Sequence, residues 1–282
     1  MSSWRDVESA KTELRIFLPE PSDAQAAAAA LVAAGEVVGV ELAPETSEIP
    51  DEEWKFAYRK HFKIDEISPR LAIVPEWERE KWEAAHPADS RQKALILDPG
   101  MAFGTGRHAT THACLEYIDD LAVENADRSF LDVGCGSGIL AIAAMLEGFR
   151  EVAGFDIDPD AVQNANENAE RNGLKIRFVR GDLSNKSTLP GVAKADGRTF
   201  DVVAANVLGP VLIRFAAEVA SLVSRSSSSR LMLSGILDET YHEVASAYEA
   251  QGFHEISSRL ESEWRTGLFC RCGYCPNDEK IV

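Results

Sequence analysis

The chain has 282 residues, 45% of them hydrophobic and 8% aromatic, which is enough to bury one large core and a smaller one. Its 12 Pro and 19 Gly exclude a collagen-like or broadly disordered composition. With 29 Lys and Arg against 46 Asp and Glu the net charge is −17, which repels phosphate backbones, so no direct nucleic-acid binding is expected.

The opening Met1-Ser2-Ser3-Trp4-Arg5-Asp6 has no basic flank leading into an apolar run, so no secretory signal is expected. Residues 11–18 alternate like a strand, 23–34 read as a helix between Asp23 and Gly35, and 36–42 read as a second strand. Residues 1–50 thus form a small β-α-β unit, closed by Pro44 and Pro50. A charged linker follows over 51–93, containing Trp54, Trp77 and Trp82, with a helix at 51–61 and a short strand at 71–74. From Ala94 the pattern is regular. Strand-like runs at 129–133, 151–156, 175–180, 200–205 and 230–235 are separated mostly by helical patterns at 138–147, 159–172, 210–224 and 238–251. Such alternation predicts right-handed βαβ units and a doubly wound, mostly parallel α/β sheet covered on both faces. Residues 253–260 and 264–271 read as an antiparallel hairpin that completes a domain over 94–272, before a tail at 273–282.

No run of 18 strongly apolar residues occurs, so neither a membrane span nor a membrane partner is expected. Five cysteines are an odd number for a disulfide scaffold, and a reducing cytoplasm fits best. Cys270, Cys272 and Cys275 form C-x-C-x-x-C without a fourth ligand after them, so no metal is expected.

The chemistry concentrates in Leu131-Asp-Val-Gly-Cys-Gly-Ser-Gly138, which follows a strand and opens a helix where exposed N–H groups favour a ligand. Gly134, Gly136 and Gly138 admit close backbone approach, although a tight structural turn accounts for such a triplet too. A dinucleotide fingerprint needs its third glycine at 139, where Ile139 stands, so the spacing suits a nucleoside without a pyrophosphate. Asp156 ends the next strand and can accept both hydroxyls of a ribose, with Ile157 beside it as a further contact. Helix capping is its other reading, but Asp158-Pro159 already supplies a cap. Asp182 follows the third strand at the place of an adenine edge, or is an ordinary turn residue. Asn206 ends the fourth strand at the carboxyl rim of the sheet, where its side-chain oxygen can accept from an amine; a turn Asn is the alternative. Upstream, Leu97–Thr111 holds a second glycine-rich loop that can fold over a cofactor, with Phe103 and Gly104 in the lid and Thr111 reaching from the following helix. It lacks the Lys-Ser/Thr pair of a P-loop, which argues against nucleotide hydrolysis. His108 is either a base or, more commonly in such a loop, bonded to backbone.

The segments DPGMAFGTGRHATT, LDVGCGSGILAIAA, FDIDPDAVQNANENAERNG and AANVL, with the connector EWKFAYRKHFKI and LAIVPEWE, resemble the PrmA family, the ribosomal protein L-eleven methyltransferases, from about residue 51 to 271. The resemblance implies a class I methyltransferase that uses S-adenosyl-L-methionine, with a seven-stranded sheet and a small α+β amino-terminal domain for substrate recognition. It also implies a protein substrate, in this family a ribosomal protein, methylated on lysine side chains or the N-terminus. A cytoplasmic monomer is expected. Carried over by position, the family's cofactor contacts fall on Thr111, Gly134, Asp156 and Asn206, and Asn206 orients the acceptor without a dedicated base. Arg107 and Ala109 stand where the family usually has Thr and Pro, Gly209-Pro210 is unusual wording after Asn206, and the amino-terminal unit counts as about half a ferredoxin-like fold. The alternatives are a methyltransferase acting on another protein or a small amine, and a non-catalytic S-adenosylmethionine-binding module.

Overall fold

The computed structural model describes residues 2–5, 12–15, 21–40, 42–46, 62–87, 90–97, 108–189 and 199–271. The chain divides into two compact units, Met1–His61 and Phe62–Val282. In the first, β1 (Ser2–Arg5) pairs antiparallel with β2 (Thr12–Arg15), and α1 (Pro21–Val38) comes next. The strand expected over 36–42 is corrected, because the helix runs on to Val38 and Gly39, at φ +73°, ends it. Gly35 is not the stop. It lies inside the helix, where a Cβ would come within 2.5 Å of the Val40 carbonyl, and that carbonyl's own residue donates its N–H to Gly35 at 2.9 Å. A short apolar run such as Val37-Val38 does not distinguish helix from strand, and the glycine that tolerates a left-handed backbone decides the boundary. Among the described residues this unit is therefore β-β-α. The helix expected at 51–61, with Trp54, lies outside the described residues.

The second unit opens with a three-stranded sheet, β3 (Asp65–Glu66), β4 (Leu71–Pro75) and β5 (Lys93–Leu97), with α2 (Arg79–Ala85) between the last two. Leu71, Ile73, Leu95 and Leu97 face the main core, and Ala72, Val74 and Ile96 lie under Trp82 on the other side. Arg70 anchors this small sheet to the helices of the main core, through Asp119 at 3.0 Å and the fully buried carboxylate of Glu147.

The main sheet takes its strands from β6 (Ser129–Val133), β7 (Glu151–Asp156), β8 (Arg177–Arg180), β9 (Val202–Asn206), β10 (Arg230–Leu237), β11 (Phe253–Glu261) and β12 (Trp264–Arg271). Their spatial order is β11-β12-β10-β9-β6-β7-β8; the five from β10 to β8 are parallel, and β12 and β11 are antiparallel. This is the doubly wound, seven-stranded sheet with a carboxy-terminal hairpin that the sequence predicts. Alternating side chains feed opposite cores. Phe130, Val202 and Ala204 enter the core covered by α3 (Ala109–Asn125), α4 (Ile139–Glu147) and α5 (Pro159–Arg171). Leu131, Val133, Val203 and Ala205 enter the core covered by α6 (Gly209–Arg214), α7 (Ala216–Leu222) and α8 (Asp238–Glu249). Both faces are buried, as a parallel sheet requires. The single helix expected over 210–224 is two helices, interrupted at Phe215 (φ −110°, ψ 24°). No helix among the described residues is long and apolar enough to cross a membrane.

Asp132 joins β6 to α4. Its side chain is 1% exposed, and its Oδ2 accepts the Ala141 N–H at 3.2 Å in the first turn of the helix. Burial, and then the charge of Asp156, push its pKa up to about 7 despite that hydrogen bond. A carboxyl raised from an unfolded value of about 3.9 binds more protons folded than unfolded between those two values, so its contribution to stability falls as pH rises through that window. Asp132→Asn keeps an acceptor for Ala141 but does not ionise. Its stability relative to the parent should therefore climb from pH 4.5 to about 7 and then level, in urea unfolding across that range. A pH-independent difference between the two proteins would contradict this.

Candidate active site

The sheet order reverses between β6 and β9. The chain winds outward from β6 through β7 to β8, then returns to β9 and β10 on the other side. At such a switch point the loops leaving the two central strands diverge and open a crevice beyond their carboxyl ends. The loop after β6 is the glycine loop, and the residue that ends β9 is Asn206.

Gly134, Gly136 and Gly138 have φ of +69°, +51° and +77°, a left-handed conformation at each. The Phe155 carbonyl accepts the N–H groups of Gly134 and Cys135 at 2.9 and 3.0 Å, and Gly138 N–H reaches back to Cys135 O at 2.7 Å. Asp156 completes the hold. Its Oδ2 accepts Gly136 N–H and its Oδ1 accepts Asp158 N–H, each at 3.0 Å. A carboxylate oxygen accepts about two hydrogen bonds, so each keeps capacity for a hydroxyl donor. Capping of α5 falls to Asp158, whose Oδ1 accepts Asp160 N–H at 2.9 Å beside Pro159. Burial raises the Cys114 thiol to about 12 and pushes Cys135 higher still, which removes both as nucleophiles.

Asn206 sits opposite Ser234 in the β9–β10 register and donates its Nδ2 to Thr111 Oγ1 at 3.4 Å, which leaves Oδ1 as its acceptor atom. Thr111 is buried in the first turn of α3. Ser234 Oγ donates to the Thr110 carbonyl at 3.1 Å and lies 2.6 Å from Thr266 Oγ1, so hydroxyls tie α3, β10 and β12 beneath the rim. Two glycines fix the residue after Asn206. A Cβ on Gly134 would come within 2.5 Å of Val207 Cγ1, and one on Gly235 within 2.6 Å of the Val207 carbonyl oxygen. Gly235 (φ +77°) also lies in the irregularity between Leu233 and Ile236, where β10 shifts register against β12. His108 takes the backbone reading. Its Nδ1 lies 2.8 Å from Thr110 Oγ1 and accepts Thr110 N–H as the cap of α3, while its ring meets Trp264 edge-on at 4.9 Å.

The other expected contacts lie around the glycine loop or outside the described residues. Asp182 Oδ1 accepts the Ser184 N–H at 2.8 Å in a tight turn, and that bond holds its carboxyl below the usual range. Ile157 lies past the end of β7, 61% exposed. Phe103 and Gly104 lie outside the described residues, as do Cys272 and Cys275. Cys270 is disulfide-bonded, so the tail is not a set of three free thiols. Among the described residues no group of three His, Cys, Asp or Glu is placed to hold a metal. Asp132, Ser234 and Gly235 escaped the sequence reading. A glycine inside a strand pattern was the available signal for Gly235.

Known proteins resemble this chain along most of its length. The family model described as "Ribosomal protein L11 methyltransferase (PrmA)" matches residues 4–270. A protein of Geobacter sulfurreducens named "Ribosomal protein L11 methyltransferase" is 42% identical over 222 residues, covering 79% of this chain and 67% of that one. A protein of the same name from Azotobacter vinelandii is 44% identical over 201 residues, covering 71% and 62%. This chain thus spans about two thirds of the length of those relatives or slightly less. The crystal structure of a ribosomal protein L11 methylase from Lactobacillus delbrueckii subsp. bulgaricus superposes with a TM-score of 0.59 at 30% identity, covering 74% of this chain and 99% of that one. With the family model spanning both units and the glycine loop, Asp156 and Asn206 gathered at the switch point, the chain belongs to the ribosomal protein L11 methyltransferase (PrmA) family and is an S-adenosylmethionine-dependent methyltransferase.

Proposed function

We propose that the chain methylates amino groups of a protein, on lysine side chains or the N-terminus, with a ribosomal protein as the acceptor. The observation that carries this reading is Asn206, held at the rim by Thr111 with its amide oxygen left as an acceptor, beside a loop of three left-handed glycines. The cradle fits S-adenosylmethionine: the glycines place no Cβ on the loop, and Asp156 retains acceptor capacity for a ribose. When bound, the cofactor supplies an activated methyl group on a sulfonium. In this proposal Gly134, Gly136, Gly138, Asp156 and Ile157 hold the nucleoside end, with Asp182 at its edge and Thr111, Phe103 and Gly104 on the lid side.

The protein's task is then alignment. A lysine has a reference pKa of about 10.4 and attacks only as the neutral amine, which desolvation at the rim favours. Asn206 Oδ1 accepts one N–H of that amine and so directs its lone pair. A net charge of −17 draws a basic acceptor protein towards the enzyme. Recognition is assigned to residues 1–50, in keeping with the division of Met1–His61 from the rest, and catalysis to 94–272. A cytoplasmic, monomeric enzyme completes the proposal.

Asp156→Ala should weaken S-adenosylhomocysteine binding by about 1–3 kcal/mol in calorimetry, the worth of charge-assisted hydrogen bonds. Unaltered affinity in a folded variant would remove the ribose assignment. Asn206→Ala should lower kcat much more than cofactor affinity; proportional losses would make it a cofactor ligand only. Incubation of cell extract with the enzyme and labelled S-adenosylmethionine, followed by mass spectrometry, should place the label on amino groups of a small set of basic proteins. Label recovered only in the low-mass fraction would replace the protein acceptor with a small amine.

A further inference from the structure

Helix α5 carries Asn164 and Asn168, and Asn172 caps its end; the three are four residues apart, on one face of the helix. Asn168 is fully buried. Its Nδ2 donates to the Ser137 carbonyl at 2.9 Å and to Asn164 Oδ1 at 2.7 Å, and its Oδ1 accepts from Arg171 Nη1 at 2.7 Å. Ser137 lies between Gly136 and Gly138, and its carbonyl belongs to the peptide that leads into Gly138, so this bond fixes the loop between two left-handed glycines. Asn172 continues the row. It accepts the Ile96 N–H at 2.8 Å and donates to the Ile96 carbonyl at 2.7 Å and the Asn168 carbonyl at 2.8 Å, so its amide pairs the open edge of β5 as a strand would.

We propose that Asn168 is a positioning residue for cofactor binding, holding the glycine loop in its binding shape through the Ser137 carbonyl, while Asn172 steadies only the fold. Among the described hydrogen bonds, the loop is held from two sides. The strand side, Phe155 O and Asp156, holds Gly134 to Gly136, and the helix side, Asn168, holds Ser137. The strand-side carboxylate is also the group assigned to the ribose, so it must serve two partners when the site fills. Asn168 is assigned no ligand contact, and both its amide protons are committed within the protein, to Ser137 and Asn164. Glycines lose more backbone freedom on ordering than other residues, so a loop that lacks the Asn168 bond is held less firmly and more of its ordering falls on each binding event. This inference rests on the assignment of the glycine loop to the cofactor.

The test compares Asn168→Asp, which keeps the size and the acceptor for Arg171 but removes the donor to Ser137, with Asn172→Asp, which keeps the acceptor for Ile96 and removes donors remote from the loop. Calorimetry with S-adenosylhomocysteine, steady-state methyl transfer and thermal unfolding are measured on the full chain. Asn168→Asp should raise the cofactor Kd and KM about tenfold, with kcat at saturation within about twofold of the parent. Asn172→Asp should lower Tm and leave Kd within about twofold. Unchanged affinity in Asn168→Asp, or equal weakening in Asn172→Asp, overturns the proposal, since loss of affinity would then merely follow loss of stability. Should Asn168→Asp not fold, Asn164→Ala reads the same link, because Asn164 orients the Asn168 amide from a half-buried position. It should weaken binding about threefold without lowering Tm, and unchanged affinity there overturns the proposal too. Asp156→Ala in parallel separates the two assignments. If it also binds normally, the assignment of the loop itself has failed; if it binds weakly while the Asn168 variant does not, only the positioning role has.

Discussion

The end of β7 governs the rest of the site. Two consecutive residues, through the carbonyl of Phe155 and the carboxylate of Asp156, take up the N–H groups of Gly134, Cys135 and Gly136. Three donors at the mouth of a helix would otherwise face a crevice without partners, and buried backbone donors are rarely left so. Because the acceptors belong to the neighbouring strand, the loop's shape is inherited from the parallel pairing of β6 with β7. The Val207 contacts extend the same logic to the other side. Gly134 from the loop and Gly235 from β10 crowd the residue after Asn206, so the amide at the rim and the glycine loop cannot shift independently.

Buried acids around this core differ by partner rather than by depth. Glu147 is wholly buried yet faces the Arg70 guanidinium, which also meets Asp119. Asp132 is buried as deeply with one backbone N–H, and Asp156 is its charged neighbour, so ionisation there is opposed twice. Below its raised pKa the Asp132 carboxyl is neutral and adds no charge beside Asp156. What sets this loop apart from a dinucleotide loop is local: Ile139 stands where that loop needs a glycine.

Legibility followed the range of the interactions involved. The strands of the main sheet announce themselves because consecutive side chains such as Phe130 and Leu131 enter opposite cores and both must be apolar. Asn206 was visible as the first polar residue after such a run, and Asp158-Pro159 as a cap is local by nature. The boundary near Val38 was not, since a Val-rich run serves either element and only the backbone of Gly39 decides. Asn168 was unreadable for a different reason. Within its own helix it looks like a solvated amide, and its value comes from Ser137, 31 residues earlier. The link between Asn206 and Thr111 spans 95 residues, and no local pattern encodes it.

That long link also bears on why an amide, rather than a carboxylate, stands at the rim. Asn206 must satisfy Thr111, which its Nδ2 does as a donor, and still offer an acceptor to an incoming amine. An aspartate there would meet Thr111 with an acceptor, which the hydroxyl could answer by turning its proton. Towards the amine, however, it would do harm, because a nearby negative charge favours the protonated ammonium. An ammonium has no lone pair with which to attack. A neutral amide orders the same N–H without stabilising the charge, so on the proposed reading it aligns the acceptor and leaves deprotonation to desolvation. The choice of residue follows from the state of the substrate that reacts, not from the tightness with which the substrate is held.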